Sequence, residues 1–465
     1  MRTVRIAITA VLLGAMAVAT ALSITTLPFF DSSKGGALLC YTAGLWIAFA
    51  LAYLLLRRIP LTAAVILIVV GAVGIGGAAM AGPPNTSTDS ARYAWDGIVQ
   101  THGISPYQYG ATSPQLASIR PEWLFPSSCG GSRIQTSHEP GTNIVVCTAL
   151  NRGEAHTIYP PTSELLFAGI RFIVGPDAQY WPMQLVGLLM SLGILALLLV
   201  GLHRRGLDVR WAALWGWCPL VATEAVTNSH IDTFGALLLL AATLLASSGR
   251  RWAAGVALGL SIATKLIPVI GAPALLRKQP WKIVIASVAT FLLLYVPYVI
   301  ASGIGVIGYL PQYLNDEGFN DGSRFALLTI FARNHSSLEV AIGLLLVLSI
   351  LVWRKSNPAS PWLGQVAMIG ITLLIVSPRY PWYALLLIPM IAMTGRWEWL
   401  VVPAALTIRL LIPHIAVTRP AEIVAFTIIA LMTIYRAGPG WWLRLRAELR
   451  HPFRASSPSL ERLRY

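Results

Sequence analysis

Asp89, Arg92, Tyr93 and Asp96 fall at i, i+3, i+4 and i+7 within TDSARYAWD, just past a long apolar stretch. On a helix that spacing puts all four on one face. A carboxylate there can act as a general base or hold a polar substrate. It can equally cap the helix and pair with Arg92, and spacing alone favours that structural role. TEAVTNSHIDTFG places Glu224, Asn228, His230 and Asp232 at the junction of two apolar blocks. Ionisable groups near a bilayer edge are costly and commonly functional. Their E-x3-N-x-H-x-D spacing matches no dependable metal pattern, so hydrogen bonding to a sugar or phosphate is an equal reading. HTIYPPTSELLF offers Tyr159 beside two prolines that fix an extended connector. SPRYPWY offers Arg379, able to grip a phosphate bidentately, and Trp382 and Tyr383, whose default role is anchoring at the membrane interface. Arg409 lies inside an apolar block and needs an anionic partner, a protein carboxylate or a lipid headgroup. His335 and FNDGSRF (319–325) are lesser candidates.

The elements that position these groups follow from composition. The chain has 465 residues, 56% of them hydrophobic and 11% charged, with mean hydropathy +0.67. Soluble domains carry about 25% charged residues, so this chain cannot cover a soluble globule. Its apolar residues come in blocks near 6–28, 37–56, 60–82, 181–202, 209–223, 232–248, 252–276, 282–301, 337–353, 362–376, 382–395, 398–413 and 420–435. About 20 apolar residues cross a bilayer as a helix, and a helix satisfies its own backbone there. The expectation is an all-α polytopic membrane protein of about 12–13 transmembrane helices. Three spans would fill 1–82, a loop 83–180, a bundle 181–436 and a basic tail 437–465.

The net charge of +15 invites a nucleic-acid reading. The cations instead sit in short clusters between apolar blocks, at Arg57–Arg58, Arg204–Arg205, Arg250–Arg251, Arg277–Lys278, Arg354–Lys355, Arg396 and from Arg436 on. That is the positive-inside pattern. With these clusters and both termini cytoplasmic, loop 83–180 and the other motif-bearing turns fall outside. One block, 252–276, has cations at both ends, so a single crossing would strand a basic cluster. A re-entrant hairpin fits better than a kinked span, because Lys265, Pro268, Gly271 and Pro273 interrupt it. In a kinked span Lys265 would only snorkel. LFAGIRFIV (166–174) is too short to cross and reads as interfacial. Cys129 and Cys147 share the long loop, where an extracytoplasmic disulfide is expected. Cys40 and Cys218 lie in apolar blocks and read as packing residues. No phosphate-binding loop, G-x-S-x-G, H-E-x-x-H or C-x-x-C motif occurs, so an enzyme here would draw on a membrane-bound co-substrate and not on ATP.

In order along the chain, TDSARYAWDGIVQTHGISPYQY, TIYPP, E-x3-N-x-H-x-D and SPRYPWY resemble the polyprenyl-phosphate-sugar-dependent glycosyltransferases of the C-type membrane fold. The branch most similar is the actinobacterial mannosyltransferases of lipomannan-type envelope glycans, and the resemblance covers roughly residues 60–400. In that family the long outer loop opens with the acidic catalytic base, here Asp89. Many relatives carry the loop after the first span, whereas here it follows the third. The resemblance implies an inverting transfer from a polyprenyl-phosphate donor, mannose or else arabinofuranose, to a lipid-linked or glycan acceptor, with membrane lipids around it and no nucleic acid. Arg379, Lys265 and Arg409 would stabilise the leaving phosphate and His230 would donate to it. Asp96 would orient Arg92 or bind a sugar hydroxyl. Some relatives use a divalent metal and others none. The competing classes are a lipid-linked glycan transporter or flippase and a non-catalytic assembly subunit.

Overall fold

The computed structural model describes residues 2–27, 29, 34–332 and 336–438. His335 and the basic tail from residue 439 on lie outside them. The described helices are α1 (Arg2–Thr26), α2 (Gly35–Leu56), α3 (Leu61–Ala78), α4 (Asp89–Thr101), α5 (Pro161–Val174), α6 (Trp181–Arg204), the single turn α7 (Ala213–Gly216), α8 (Asp232–Ser247), α9 (Arg251–Ile262), α10 (Pro280–Ser302), α11 (Leu310–Asp316), α12 (Ser337–Lys355), α13 (Trp362–Val376), α14 (Ile388–Thr394), α15 (Val401–Leu411) and α16 (Ile415–Ala437). A π-helical turn, Val221–Thr227, precedes α8. The strands β1 (Gln135–His138) and β2 (Val145–Thr148) pair antiparallel, and Cys129 is bonded to Cys147 beside them.

Seven segments are long and apolar enough to cross a membrane: α1, α2, α3, α6, α10, α12 and α16. The π-turn and α8, bent by 111° between them, make an eighth if counted together. The chain is a multi-pass membrane protein. The other apolar blocks of the sequence form shorter or broken helices. Pro219, Pro268, Pro273, Pro381 and Pro389 explain much of this, since proline removes a backbone donor and clashes with the preceding turn. Hydropathy alone counts thirteen blocks because it registers apolar length, not helical continuity.

The basic clusters gather at one end of the bundle. Arg210 donates to the carbonyl of Ile59 at 2.7 Å, Arg205 to the Ser247 hydroxyl at 2.6 Å, and Arg277 to the carbonyl of Ser356 at 3.0 Å. Arg251 donates to the carbonyl of Leu275 at 3.1 Å, so the two ends of block 252–276 meet. Between them α9 rises, the chain turns at Ala263–Lys265, and two short 3-10 turns, Ile267–Gly271 and Pro273–Leu275, bring it back. The tip is fastened to the long loop: the Thr162 amide donates to the carbonyl of Ala263 at 2.8 Å, and the Ser163 hydroxyl to that of Thr264. Lys265 is thereby carried to the end opposite the basic clusters. The 24 residues of α6 set that separation at about 36 Å.

The loop at this opposite end is folded. Residues 90–99 of α4 are all buried, because the helix has a partner on each side. Ala91, Ala94, Trp95, Ile98 and Val99 pack with Ala111, Leu116, Leu124, Phe125, Ala149 and Leu150 in a small core of the loop itself. The other face carries Arg92, Tyr93 and Asp96 toward α5 and the bundle. Gly97 lets the two helices close, since a Cβ there would strike the Phe167 carbonyl. The far side of α5 exposes Leu165, Phe172 and Ile173, an apolar face suited to a membrane interface.

Candidate active site

Asp89 begins α4, where the helix dipole favours negative charge. Its side chain is 15% exposed and ringed by donors. Asn151 Nδ2 donates to Oδ1 at 3.1 Å, and the Tyr159 hydroxyl donates to Oδ2 at 3.4 Å. His230 Nδ1 lies 3.6 Å from Oδ2, an ion-pair distance and not a hydrogen bond. Burial opposes the charge, but His230, Lys265 and Asn151 outweigh it and hold the carboxyl at about 2.

The alternative roles for this face are not the ones observed. Thr88 is the N-cap, with no side-chain cap bond, and the Asp89 amide itself donates to Ser87 Oγ at 3.1 Å. Arg92 turns away from Asp89 and donates to the carbonyls of Asn151, Arg152 and Ala155 at 2.8, 2.7 and 3.3 Å. It clamps the turn that presents Asn151. Arg152 at that turn has φ 50°, a left-handed conformation unusual for a side-chain-bearing residue. Tyr93 stacks on Phe167 at 4.6 Å and its hydroxyl accepts from the Ile231 amide at 3.5 Å, which ties α4 to the polar junction before α8.

That junction supplies the second layer. The π-turn and Ser229, at φ 50°, bring Glu224 and His230 together. His230 Nε2 lies 3.2 Å from Glu224 Oε2. Asn228 donates to Glu224 at 3.1 Å and to Thr86 Oγ1 at 2.6 Å, joining the junction to the segment just before Asp89. Trp382 stacks on the His230 ring, with centroids 3.8 Å apart and planes 21° apart, and Tyr380 stacks on its far side at 4.4 Å. Trp382 is therefore packed within the site and does not anchor the protein in lipid headgroups. Asp232 holds Lys265 at 2.8 Å, and the Lys265 ammonium sits 4.6 Å from the centre of the Tyr383 ring. The Tyr383 and Tyr313 hydroxyls are 2.6 Å apart, which brings the loop after α10 over the site.

Two candidates stand elsewhere. Asp96 is buried behind the cluster next to Glu164, which accepts from Thr157 Oγ1 at 2.7 Å and Gln100 Nε2 at 2.8 Å. Burial pushes Asp96 up to about 6 despite Arg92 and the Thr157 hydroxyl. Burial and the Asp96 charge push Glu164 well above the usual carboxylate range. Asp96 thus binds neither Arg92's guanidinium nor open space. Arg409 is buried and paired with Glu422 at 3.3 Å. Glu422 also accepts from Ser377 Oγ at 2.7 Å, so a protein carboxylate, not a lipid, answers Arg409, and the pair braces the SPRYPWY turn. Arg379, on that turn, is exposed and makes no hydrogen bond or ion pair among the described residues. His230 has no exposed side-chain surface, so it faces its two carboxylates and not a leaving group.

Asn151, Thr86, Glu164, Tyr313 and Glu422 escaped the sequence reading. Apart from the Thr157–Glu164 and Arg409–Glu422 contacts, each acts through a partner 45 or more residues away, and no local spacing marks them. Among the described residues no group of three His, Cys, Asp or Glu side chains is arranged to hold a metal ion.

Residues 157–382 match the model of glycosyltransferase family 87. A polyprenol-phosphate-mannose-dependent alpha-(1-2)-phosphatidylinositol pentamannoside mannosyltransferase of Mycolicibacterium smegmatis is 24% identical over 312 residues, 61% of this chain and 71% of that one. Its namesake in Mycobacterium tuberculosis is 26% identical over 259 residues, 52% of this chain and 56% of that one. The crystal structure of the Archaeoglobus fulgidus oligosaccharyltransferase in complex with zinc and sulfate aligns at a TM-score of 0.32 and 15% identity, over 58% of this chain and 44% of that one, a likeness that decides nothing here. Across its centre the chain is similar to glycosyltransferase family 87, and over a longer stretch to polyprenol-phosphate-mannose-dependent mannosyltransferases.

Proposed function

We propose that this protein is an inverting glycosyltransferase that moves mannose from a polyprenyl-phosphate donor to a lipid-linked or glycan acceptor of the cell envelope. The observation that carries the reading is Asp89: a partly exposed carboxylate at the loop end of the bundle, kept ionised and oriented by Asn151, Tyr159 and His230. A base must be charged and reachable, and Asp89 is both. The donor in the relatives' names, polyprenol-phosphate-mannose, supplies the sugar and the lipid phosphate.

In the reaction the acceptor hydroxyl gives its proton to Asp89 as its oxygen bonds to the anomeric carbon. The bond from that carbon to the lipid phosphate oxygen breaks, and attack from the opposite face inverts the centre. The departing phosphate gathers negative charge that a nearby cation stabilises. Arg379 is our choice, because it is exposed and uncommitted while Lys265 and Arg409 already hold carboxylates. Lys265 still adds positive field at Asp89. The basic clusters lie at the other end, which supports a cytoplasmic location for that end and for both termini, and an outer-face location for the site. A site at one end of the bundle also argues against a transporter, whose binding groups lie near the midplane.

The test is transfer in detergent or liposomes. Purified protein is given radiolabelled polyprenyl-phosphomannose or polyprenyl-phosphoarabinose with extracted envelope lipids, beside Asp89→Asn. Mannose transfer lost in the variant is expected, with a fall of about 10²–10⁴ in rate. Transfer of arabinose alone would replace the sugar, and no transfer from either donor would overturn the proposal.

A further inference from the structure

His230 touches neither sugar nor phosphate in the proposed chemistry and acts only on Asp89. It lies one residue past the strained Ser229 and has a carboxylate at each ring nitrogen, Glu224 Oε2 at 3.2 Å and Asp89 Oδ2 at 3.6 Å. Trp382 covers one face of the ring. The His230 amide donates to the Glu224 carbonyl at 2.8 Å, so backbone and side chain hold the same partner. Both ring nitrogens are buried and neither makes a hydrogen bond in this geometry, so these two ion-pair contacts are their only polar neighbours among the described residues. Holding a side-chain-bearing residue at positive φ is strained, which marks the arrangement as worth maintaining.

We propose that Glu224 and His230 form a buried bridge that positions Asp89 and keeps it ionised, ready to accept the proton of the incoming hydroxyl. This rests on Asp89 being the base. The doubly protonated ring presents one N–H to each carboxylate. Glu224 keeps the ring charged, and the charged ring fixes Asp89 Oδ2 while Asn151 fixes Oδ1. In the transfer itself the acceptor's proton goes to Asp89, the new carbon–oxygen bond forms and the bond to lipid phosphate breaks. His230 and Glu224 exchange nothing, which makes them positioning residues. The other titratable groups around the bridge are Tyr159 on Asp89, Tyr93 on the Ile231 amide, the Asp232–Lys265 pair and Tyr380 behind Trp382.

The test is the pH profile of kcat/KM for the whole protein as wild type, His230→Gln, Glu224→Gln and Asp89→Asn. His230→Gln removes the cation beside Asp89 and should move the acidic limb up by about 1–3 pH units, so that activity recovers toward high pH. Glu224→Gln removes the charge that keeps the ring protonated and should bring the alkaline limb down by about one unit or more. If both variants lose the same factor at every pH, the residues are merely structural and the bridge is wrong. Should His230→Gln fail to fold, the alkaline limb of Glu224→Gln decides alone. Activity surviving in Asp89→Asn would instead remove the base. An inactive Asp89→Asn with unshifted profiles in the other two removes only the bridge.

Discussion

Replacing Asp96 with asparagine should stabilise the protein, and only above a definite pH. Asp96 is 2% exposed, its Oδ2 has no partner, and Glu164 beside it is fully buried. Two carboxyls in such a site cannot both ionise cheaply. Asp96 is pushed up to about 6 from an ordinary 3.8. A carboxyl raised on folding contributes its stability fully below 3.8 and loses it as pH rises through about 6. Each pH unit corresponds to about 1.4 kcal/mol, so ionising Asp96 in the folded protein costs at most about 3 kcal/mol. Asparagine keeps the shape without the charge. At pH 8 the variant should gain up to about 3 kcal/mol, or about 3–6 °C in Tm when the size scaling is extended to this chain length. At pH 5 the gain should fall to about half of that, and it vanishes only below about pH 4. Asp96→Asn combined with Glu164→Gln should gain little beyond the single change, because one substitution already relieves the pair. Thermal unfolding in detergent, followed by tryptophan fluorescence at pH 5, 6.5 and 8, reads all of this. A variant no more stable than wild type at pH 8, or an equal gain at pH 5, would refute the reasoning.

Arg379→Gln should lower kcat and kcat/KM by about 10–100-fold with a smaller change in the KM for donor, because the charge it stabilises grows in the transition state and a charge-assisted hydrogen bond is worth about 1.5–3 kcal/mol; steady-state kinetics over a donor series will show it. Lys265→Met strands Asp232, which is 1% exposed, and should destabilise by about 3–5 kcal/mol. Lys265→Met with Asp232→Leu should regain much of that in the same melting assay, and a double variant worse than the single would refute the pairing. Thiol titration of denatured protein without reductant should find two reactive cysteines, Cys40 and Cys218, and four after reduction.

Hydropathy and charge carried the architecture a long way in this chain, because both act locally along the sequence. Cations at each end of 252–276 suggest a chain that returns to its starting end, and in the structure Arg251 donates to the Leu275 carbonyl. Loop 83–180 was legible as polar but not as folded, since its core joins Trp95 to Phe125 and Leu150 across stretches with no common period. The candidate site divides the same way. Asp89, Glu224, His230 and Asp232 stood out because ionisable residues are rare in so oily a chain. Their pairings did not. The sequence offers Arg92 as the neighbour of Asp89 at i+3, the cheapest partner a helix provides, yet Arg92 instead satisfies three carbonyls of the 151–155 turn. A guanidinium has five donors, and a buried turn with free carbonyls outbids a partly exposed carboxylate. That exchange leaves Asp89 to Asn151, Tyr159 and His230, neutral or titratable partners from 62 to 141 residues away. The tertiary fold therefore creates the site by drawing Arg92 off Asp89 as much as by bringing His230 to it.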